Sequence, residues 1–116
     1  MVLNIKFIKM LVEITKENFE KIVLKSERPV LLDFYAEWCG PCKMLQPTME
    51  RLSEEFADMA VIAKVNVDNN RDIAVEFGIM AIPAVIVVKN GKAVGERMTG
   101  ARFTYKDYSE RINEVI

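Results

Sequence analysis

The sequence of 116 residues contains no histidine and only two cysteines. A structural zinc site as a rule needs four nitrogen or sulfur ligands, so this chain could complete one only with carboxylates or with cysteines from a second subunit. An excess of either charge is also lacking, because 16 Lys and Arg face 17 Asp and Glu and the net charge is −1. Sequence-independent binding of nucleic acid needs a basic face that neutralises phosphates, and this balance argues against it.

Long apolar runs are missing as well, and none approaches the ~20 residues of a membrane-spanning helix. The first 14 residues are apolar apart from four polar positions: Asn4, Lys6, Lys9 and Glu13. They lack the uninterrupted apolar core and the small-residue cleavage site of a signal peptide. We therefore expect a cytoplasmic protein without membrane association, in a compartment where thiols stay reduced. Residues 1–9 are predicted to be a short N-terminal extension, with Met10 as an alternative start to Met1.

Repeats, low-complexity tracts and flexible linkers are absent from the sequence too, which favours a single domain over residues 1–116. Apolar periodicity predicts strands at 11–14, 29–35, 60–67, 84–88 and 93–99, and helices at 16–25, after the cysteines, at 70–77 and at the C-terminus. Thr15 is the predicted cap of the first helix, and Asn90-Gly91 predicts a tight hairpin between the last two strands. Met44, Met49 and Met59 are predicted to fill gaps in the core. The order βαβαβαββα predicts an α/β fold with a mixed sheet and helices on both faces.

Both cysteines lie in one motif, Cys39-Gly40-Pro41-Cys42, directly after the buried strand at 29–35. A structural disulfide here would close a loop of four residues, for which the chain-entropy model gives only ~1.9 kcal/mol. A redox-active dithiol makes better use of the site, because unpaired N–H groups and the dipole at the start of a helix favour a thiolate at Cys39. Pro41 falls in the first turn, where its missing N–H costs nothing. Cys42 lies on the same helix face, within disulfide reach.

One acid, Asp33, interrupts the apolar strand that precedes this motif. Buried carboxylates are rare without a partner or a function. The closeness of Asp33 to the cysteines favours a role in proton transfer over that of an acid at a strand end that reaches solvent. On local pattern alone, Lys64 is nearly as well explained as a solvated lysine on a strand.

Four segments resemble the thioredoxin family in their order and spacing: FYAEWCGPCKMLQP, VNVD, GIMAIPAVIVVKNGK and TGA. The resemblance extends from about Leu11 to the C-terminus. It implies the thioredoxin fold, a central mixed sheet of about five strands flanked by four helices. It also implies a monomeric protein-disulfide reductase without a bound cofactor or metal, which acts on disulfide-containing substrate proteins. A separate thioredoxin reductase would recycle it, with NADPH or ferredoxin upstream.

The resemblance also implies roles for individual residues. Cys39 would attack the substrate disulfide, and Cys42 would resolve the mixed disulfide that forms. Asp33 would assist the deprotonation of Cys42, and Lys64 would pair with Asp33. Trp38, Gly40 and Pro41 would form the active-site turn. Substrate backbone would dock on Trp38, Gly78, Ile82, Gly100 and Pro83, the last after a cis peptide bond.

The sequence departs from the family pattern at two positions that bear on substrate preference. Tyr35 stands where many members have Trp, and Ala81 replaces the small or polar residue often found before Ile-Pro. Two other functions stay open: a binding module with dispensable cysteines, and an oxidase or isomerase. Reduction potentials of C-x-x-C proteins span roughly −270 to −120 mV. The Gly-Pro pair between the cysteines resembles the reducing members, whereas oxidising members usually carry His there, so we predict a reductant.

Overall fold

A computed structural model of the chain describes residues 10–116; the predicted extension at 1–9 lies outside the described residues. Strands and helices follow one another in this order: β1 (Val12–Ile14), a π-helical segment (Glu20–Leu24), β2 (Val30–Tyr35), α1 (Gly40–Glu55), β3 (Val61–Asn66), α2 (Arg71–Glu76), β4 (Ala84–Lys89), β5 (Lys92–Thr99) and α3 (Tyr105–Asn113). The strands form one sheet of five in the order β1-β3-β2-β4-β5. The predicted α/β fold with a mixed sheet is confirmed. Within residues 10–116, no helix is both long enough and apolar enough to cross a bilayer.

Strand β2 lies at the centre of the sheet, parallel to β3 and antiparallel to β4. Helices cover both faces of the sheet, so β2 is buried on both sides and its sequence is apolar without alternation. Its odd-numbered residue Leu31 packs under α1 and α3 with Leu52 and Tyr108. Its even-numbered residue Leu32 packs on the opposite face with Ile73 of α2. Because side chains alternate along a strand, Asp33 lies on the face that α1 covers.

Helix α1 begins at the cysteine motif and contributes one apolar stripe to the core. Met49 on that stripe is fully buried, as predicted, but Met44 is 79% exposed and Met59 is 46% exposed. The prediction that these two methionines fill core gaps is wrong. Position 44 is one residue before the buried Leu45, which rotates its side chain by roughly 100° toward solvent. Met59 follows the last turn of α1, where no helical stripe directs it inward.

The first helical segment differs from the predicted helix at 16–25. Its regular part is limited to Glu20–Leu24 and has π spacing, with the Lys25 N–H donating to the Glu20 carbonyl at 2.9 Å. The side chain of Thr15 does not cap this segment. Instead the Thr15 N–H donates to Asn18 Oδ1 at 2.8 Å, because an Asn three residues ahead can satisfy this amide while the backbone turns. Val23 is buried, as the apolar pattern predicts, but that pattern does not specify the hydrogen-bond spacing of the segment.

The β4–β5 hairpin turns on the predicted Asn90-Gly91 pair, whose φ angles of 53° and 80° are those of a type I′ turn. We expect Gly91→Ala to lower the free energy of unfolding by about 1–2 kcal/mol, because an L side chain is disfavoured at this φ. A Cβ there would also lie 3.3 Å from the Leu24 carbonyl oxygen.

Urea denaturation of the oxidised protein measures this cost, with Gly40→Ala as the matched control. Gly40 lies in a helix and has no heavy atom within 4 Å of an added Cβ. Its substitution should therefore be neutral or stabilising by up to about 1 kcal/mol. Equal losses in the two variants would contradict the conformational argument.

Candidate active site

Cys39 and Cys42 form a disulfide, so the structure is that of the oxidised protein. Their Cα atoms are 5.3 Å apart, a separation that helix geometry provides for positions three residues apart. Cys39 is the N-cap of α1 and has extended backbone angles. Its Sγ accepts the backbone N–H of Cys42 at 3.3 Å. An amide donor and the positive end of the helix dipole therefore meet at this one sulfur.

Two residues between the cysteines begin the helix. Pro41 lies within the first turn, where no intrahelical acceptor is available for an N–H. Gly40 precedes it, and a Cβ added to this glycine would meet no atom of the described residues within 4 Å. The turn is thus open on its outer side, which leaves the disulfide within reach of another chain.

Apolar side chains surround the disulfide on one side and leave a cavity of about 430 Å³. Trp38, Ile79, Met80 and Ile82 are among the residues that line it. Trp38 is 71% exposed, and its indole N–H donates to Asp68 Oδ2 at 2.9 Å. Met80 is 95% exposed, although nothing in the sequence pattern singled it out. Large apolar side chains that are exposed side by side next to a reactive group are typical of an interaction surface.

The Ile82–Pro83 segment connects this cavity to the disulfide, because Ile82 borders both. The peptide bond between these residues is cis, and Ile82 packs against Cys39 and Cys42. Gly100 has a φ of 99°, and its N–H donates to the Pro83 carbonyl at 2.8 Å. The structure therefore brings Ile82, Pro83 and Gly100 together. Gly78 instead ends α2, where Arg97 donates to its carbonyl, and it is not among the described residues that line the apolar cavity.

Asp33 is the buried acid of the site, with only 1% of its surface exposed. Burial is the main cause that raises its pKa from 3.8 to about 7; the charge of Lys64 acts against this shift, and the charge of Glu13 adds to it. Its Oδ1 has no hydrogen-bond partner among the described residues. A carboxyl group with a pKa near neutrality can both accept and release a proton at physiological pH.

Lys64 was predicted to pair with Asp33, and the structure places the two residues side by side on neighbouring strands. Lys64 Nζ lies 3.7 Å from Glu13 Oε1, and within residues 10–116 this contact, not one with Asp33, is its ion pair. Strand register explains the difference, because Lys64 on β3 is flanked by Asp33 on β2 and by Glu13 on β1. Lys64 acts on Asp33 only as a nearby charge. Glu13 was not predicted as a site residue; its position opposite Lys64 depends on a strand register that the sequence pattern does not encode.

A second cavity, of about 280 Å³, borders Cys42 between the start of α1 and the strands β2 and β3. Tyr35, Cys42, Lys43, Gln46 and Lys64 are among the residues that line it. The thiol of Cys42 in the reduced protein would therefore lie close to polar groups and solvent. Within residues 10–116, no cluster of three or more His, Cys, Asp or Glu side chains is placed to hold a metal ion.

Comparison with known proteins identifies the family of the chain. The thioredoxin family model matches residues 10–112. A thioredoxin of Chlorobaculum thiosulfatiphilum is 47% identical over 89 residues, which cover 77% of this chain and 82% of that protein. A thioredoxin of Haemophilus influenzae is 44% identical over 85 residues, covering 73% of this chain and 79% of its own. Thioredoxin 2 of Chlorobaculum tepidum is 45% identical, with coverage of 77% and 81%. With the cysteine pair, the buried acid and the mixed sheet in place, the chain belongs to the thioredoxin family of thiol–disulfide oxidoreductases.

Proposed function

We propose that the chain reduces disulfide bonds in other proteins by a two-step exchange. The Cys39 thiolate attacks one sulfur of the substrate disulfide; a mixed disulfide forms and one substrate thiolate leaves. The Cys42 thiolate then attacks Cys39 Sγ, which closes the Cys39–Cys42 disulfide and releases the second substrate thiol. Two electrons pass from the dithiol to the substrate. The observation that supports this most directly is the placement of Cys39 Sγ at the start of α1, on the Cys42 N–H.

Asp33 is the group proposed to accept the proton of Cys42 before the second step. It lies on the sheet face under α1, the helix that carries Cys42. Its pKa of about 7 leaves it partly ionised at neutral pH, and a base with that affinity is well matched to proton transfer. Lys64 and Glu13 would modulate this base through their charges.

The apolar surface beside the disulfide is the proposed docking site for the substrate backbone. Its members are four of the residues implied by the family resemblance, Trp38, Ile82, Pro83 and Gly100; Gly78, the fifth, ends α2 and does not line the cavity. The exposed Met80 extends this surface. A flexible thioether adapts to varied side chains, which suits a protein that must act on more than one substrate.

Recycling of the Cys39–Cys42 disulfide requires an external electron donor, for which we propose a thioredoxin reductase. The chain then serves as an electron carrier between that enzyme and its substrates. We propose the cytoplasm as its compartment, because a reductant of disulfides works where the thiol pool is kept reduced. We propose a monomer as the working unit, since one dithiol completes the exchange.

The test is reduction of insulin by dithiothreitol with and without the protein. We expect the protein to accelerate precipitation of the insulin chains, and a variant with Ser at both Cys39 and Cys42 to leave the rate at that of dithiothreitol alone. Equilibration with glutathione should give a reduction potential below about −230 mV, on the reducing side of glutaredoxins and disulfide isomerases. A potential near −120 mV would identify an oxidase, and equal rates with and without the protein would reject the proposal.

A further inference from the structure

Three charged residues lie side by side on neighbouring strands beneath the active site. The parallel register aligns Glu13 on β1 with Lys64 on β3, and Lys64 with Asp33 on β2. Aligned residues of parallel strands point to the same face of a sheet, so the lysine lies between two carboxyl groups. The two differ in environment, because Asp33 is 1% exposed and the Glu13 side chain is 44% exposed.

The lysine is held at the more exposed carboxylate by contacts from two residues. Lys64 Nζ is 3.7 Å from Glu13 Oε1 and 5.0 Å from the centre of the Tyr35 ring, which it faces. The Tyr35 hydroxyl in turn donates to the Glu13 carboxylate, 2.9 Å from each oxygen. Tyr35 therefore fixes Glu13 through its hydroxyl and Lys64 through its ring, while Asp33 Oδ1 has no hydrogen-bond partner in the described part of the chain.

We propose that Glu13 and Tyr35 are positioning residues that hold the Lys64 ammonium away from Asp33 and so keep Asp33 able to exchange a proton with Cys42. This inference rests on the proposed role of Asp33 as the proton acceptor. Neither residue gives or takes a proton or an electron in the exchange that we propose, although Tyr35 packs against the cluster that contains Cys39 and Cys42. Both would act indirectly, by fixing the position of the Lys64 ammonium.

Charge arithmetic explains why the position of Lys64 matters. A cation in direct contact with a buried carboxylate lowers its pKa by about 1–3 units, which would leave Asp33 ionised throughout the physiological range and a poor proton acceptor. In the observed arrangement burial prevails, and the pKa of Asp33 is raised to about 7, with Lys64 lowering it and Glu13 raising it. Glu13 thus competes with Asp33 for one lysine.

No other group around Asp33 in the described residues could set its pKa in place of Lys64 and Glu13. The β4 residue aligned with Asp33 is the apolar Val85. From α3, the buried Tyr108 hydroxyl faces the same interior, and burial, together with the charge of Asp33, raises the pKa of Tyr108 to about 12. That hydroxyl stays protonated at neutral pH. From α1, the nearby titratable group is the thiol of Cys42 in the reduced protein, so among residues 10–116 Lys64 is the one cation that acts on the pKa of Asp33.

The cluster also lies on the route between Cys42 and solvent. Lys64 and Tyr35 line the same cavity of about 280 Å³ as Cys42. A lysine released from Glu13 has space there to change its position relative to Asp33, its aligned neighbour on β2. The contacts of Glu13 and Tyr35 therefore decide which of two carboxyl groups Lys64 neutralises.

The experiment is an NMR titration of the Asp33 carboxyl carbon in the reduced protein. We expect Glu13→Gln to lower the midpoint by about one pH unit, because it removes a negative charge and frees Lys64 to approach Asp33. Glu17→Gln is the matched control: Glu17 lines the same polar groove as Glu13 and is exposed to solvent. It should move the midpoint by no more than roughly 0.3 pH unit, since within residues 10–116 Glu17 has no ion pair or hydrogen bond with Lys64 or Tyr35 and its exposed charge is screened. An unchanged midpoint in Glu13→Gln overturns the inference.

A double-mutant cycle distinguishes the effect of Glu13 on the position of Lys64 from the direct effect of the Glu13 charge on the pKa of Asp33. In a Lys64→Met background, Glu13→Gln should lower the Asp33 midpoint by less than it does in the wild type. Equal shifts in the two backgrounds would mean that Glu13 acts only as a distant charge, and the inference would be wrong. Tyr35→Phe keeps the ring but removes the hydroxyl, so it should shift the midpoint in the same direction as Glu13→Gln, by a smaller amount.

The rate at which Cys42 resolves a mixed disulfide, measured against pH, distinguishes this inference from the proposed function. If Glu13→Gln shifts both the Asp33 midpoint and the pH midpoint of resolution downward, both are supported. If the Asp33 midpoint moves but Asp33→Asn leaves the resolution profile unchanged, the positioning of Lys64 stands and the proton-transfer role of Asp33 is wrong. If the Asp33 midpoint stays fixed while Asp33→Asn alters the profile, the role of Asp33 stands and the positioning is wrong.

Discussion

Cys39→Ser should reduce the insulin-reductase activity by more than about a thousandfold, because a serine hydroxyl is not ionised at neutral pH and cannot replace the attacking thiolate. Cys42→Ser should also lose turnover, but for a different reason. In that variant Cys39 still attacks the substrate disulfide, and no second thiol is present to release it. The mixed disulfide should therefore accumulate, up to one substrate per protein molecule.

The difference between the two variants follows from their places on α1. Cys39 is the N-cap, where its Sγ accepts an amide hydrogen. Cys42 is within the helix and 3% exposed, above the sheet face that contains Asp33. Solvent exposure does not explain the different roles of the two cysteines, since Cys39 is 5% exposed. The amide donor and the helix N-terminus at Cys39 explain them.

Non-reducing gels and mass spectrometry of the trapped species provide the measurement. A disulfide-bonded peptide as substrate should give an adduct with Cys42→Ser and none with Cys39→Ser. The variant with Ser at both positions is the control for adventitious binding. An adduct formed through Cys42 in Cys39→Ser, at a rate similar to that in Cys42→Ser, would contradict the assigned order of attack.

Much of the fold could be predicted because its local signals agree with its tertiary environment. The apolar run at 29–35 became the central strand β2, since only a strand covered on both faces tolerates such a sequence. The Asn90-Gly91 pair became a hairpin turn, because these residues adopt positive φ at low cost. The redox role of the cysteine motif was predicted from its spacing, which suits a reversible dithiol better than a metal site or a structural disulfide.

The remaining features depend on contacts between distant parts of the chain. The partner of Lys64 is set by the register of β1 against β3, and a one-residue slip would have turned Glu13 to the other face. The cis bond before Pro83 was implied only by family resemblance, because most X-Pro bonds are trans. The π spacing at Glu20–Leu24 has no sequence signal that we can identify.

Asp33→Asn should stabilise the protein at alkaline pH by about 2–4 kcal/mol. The pKa of Asp33 is raised in the folded state from 3.8 to about 7. Below pH 3.8 the group is protonated in both states and its ionisation costs nothing. Between these values the unfolded chain has lost the proton that the folded chain still holds, so stability falls as pH rises, by about 1.4 kcal/mol per pH unit. Above pH 7 the full cost is present.

The predicted gain is smaller than the full electrostatic cost of about 4 kcal/mol because a buried amide has needs of its own. Asp33 Oδ1 lacks a hydrogen-bond partner within residues 10–116, and an unsatisfied buried polar group costs about 1–3 kcal/mol. The amide has two N–H donors where the neutral acid has one O–H donor, so the extra cost of the amide is present at every pH.

Urea denaturation of the oxidised wild type and Asp33→Asn from about pH 4 to about pH 9 provides the test, with Glu17→Gln as a control for loss of an exposed charge. Titration of every other group cancels in the difference between the two proteins. That difference should be small at about pH 4, widen through about pH 5 to 7 and level off above about pH 8. A constant difference would show that Asp33 has an ordinary pKa when the protein is folded. It would then be a stronger acid than proton transfer from Cys42 requires, and the proposed role of Asp33 as the proton acceptor would be wrong.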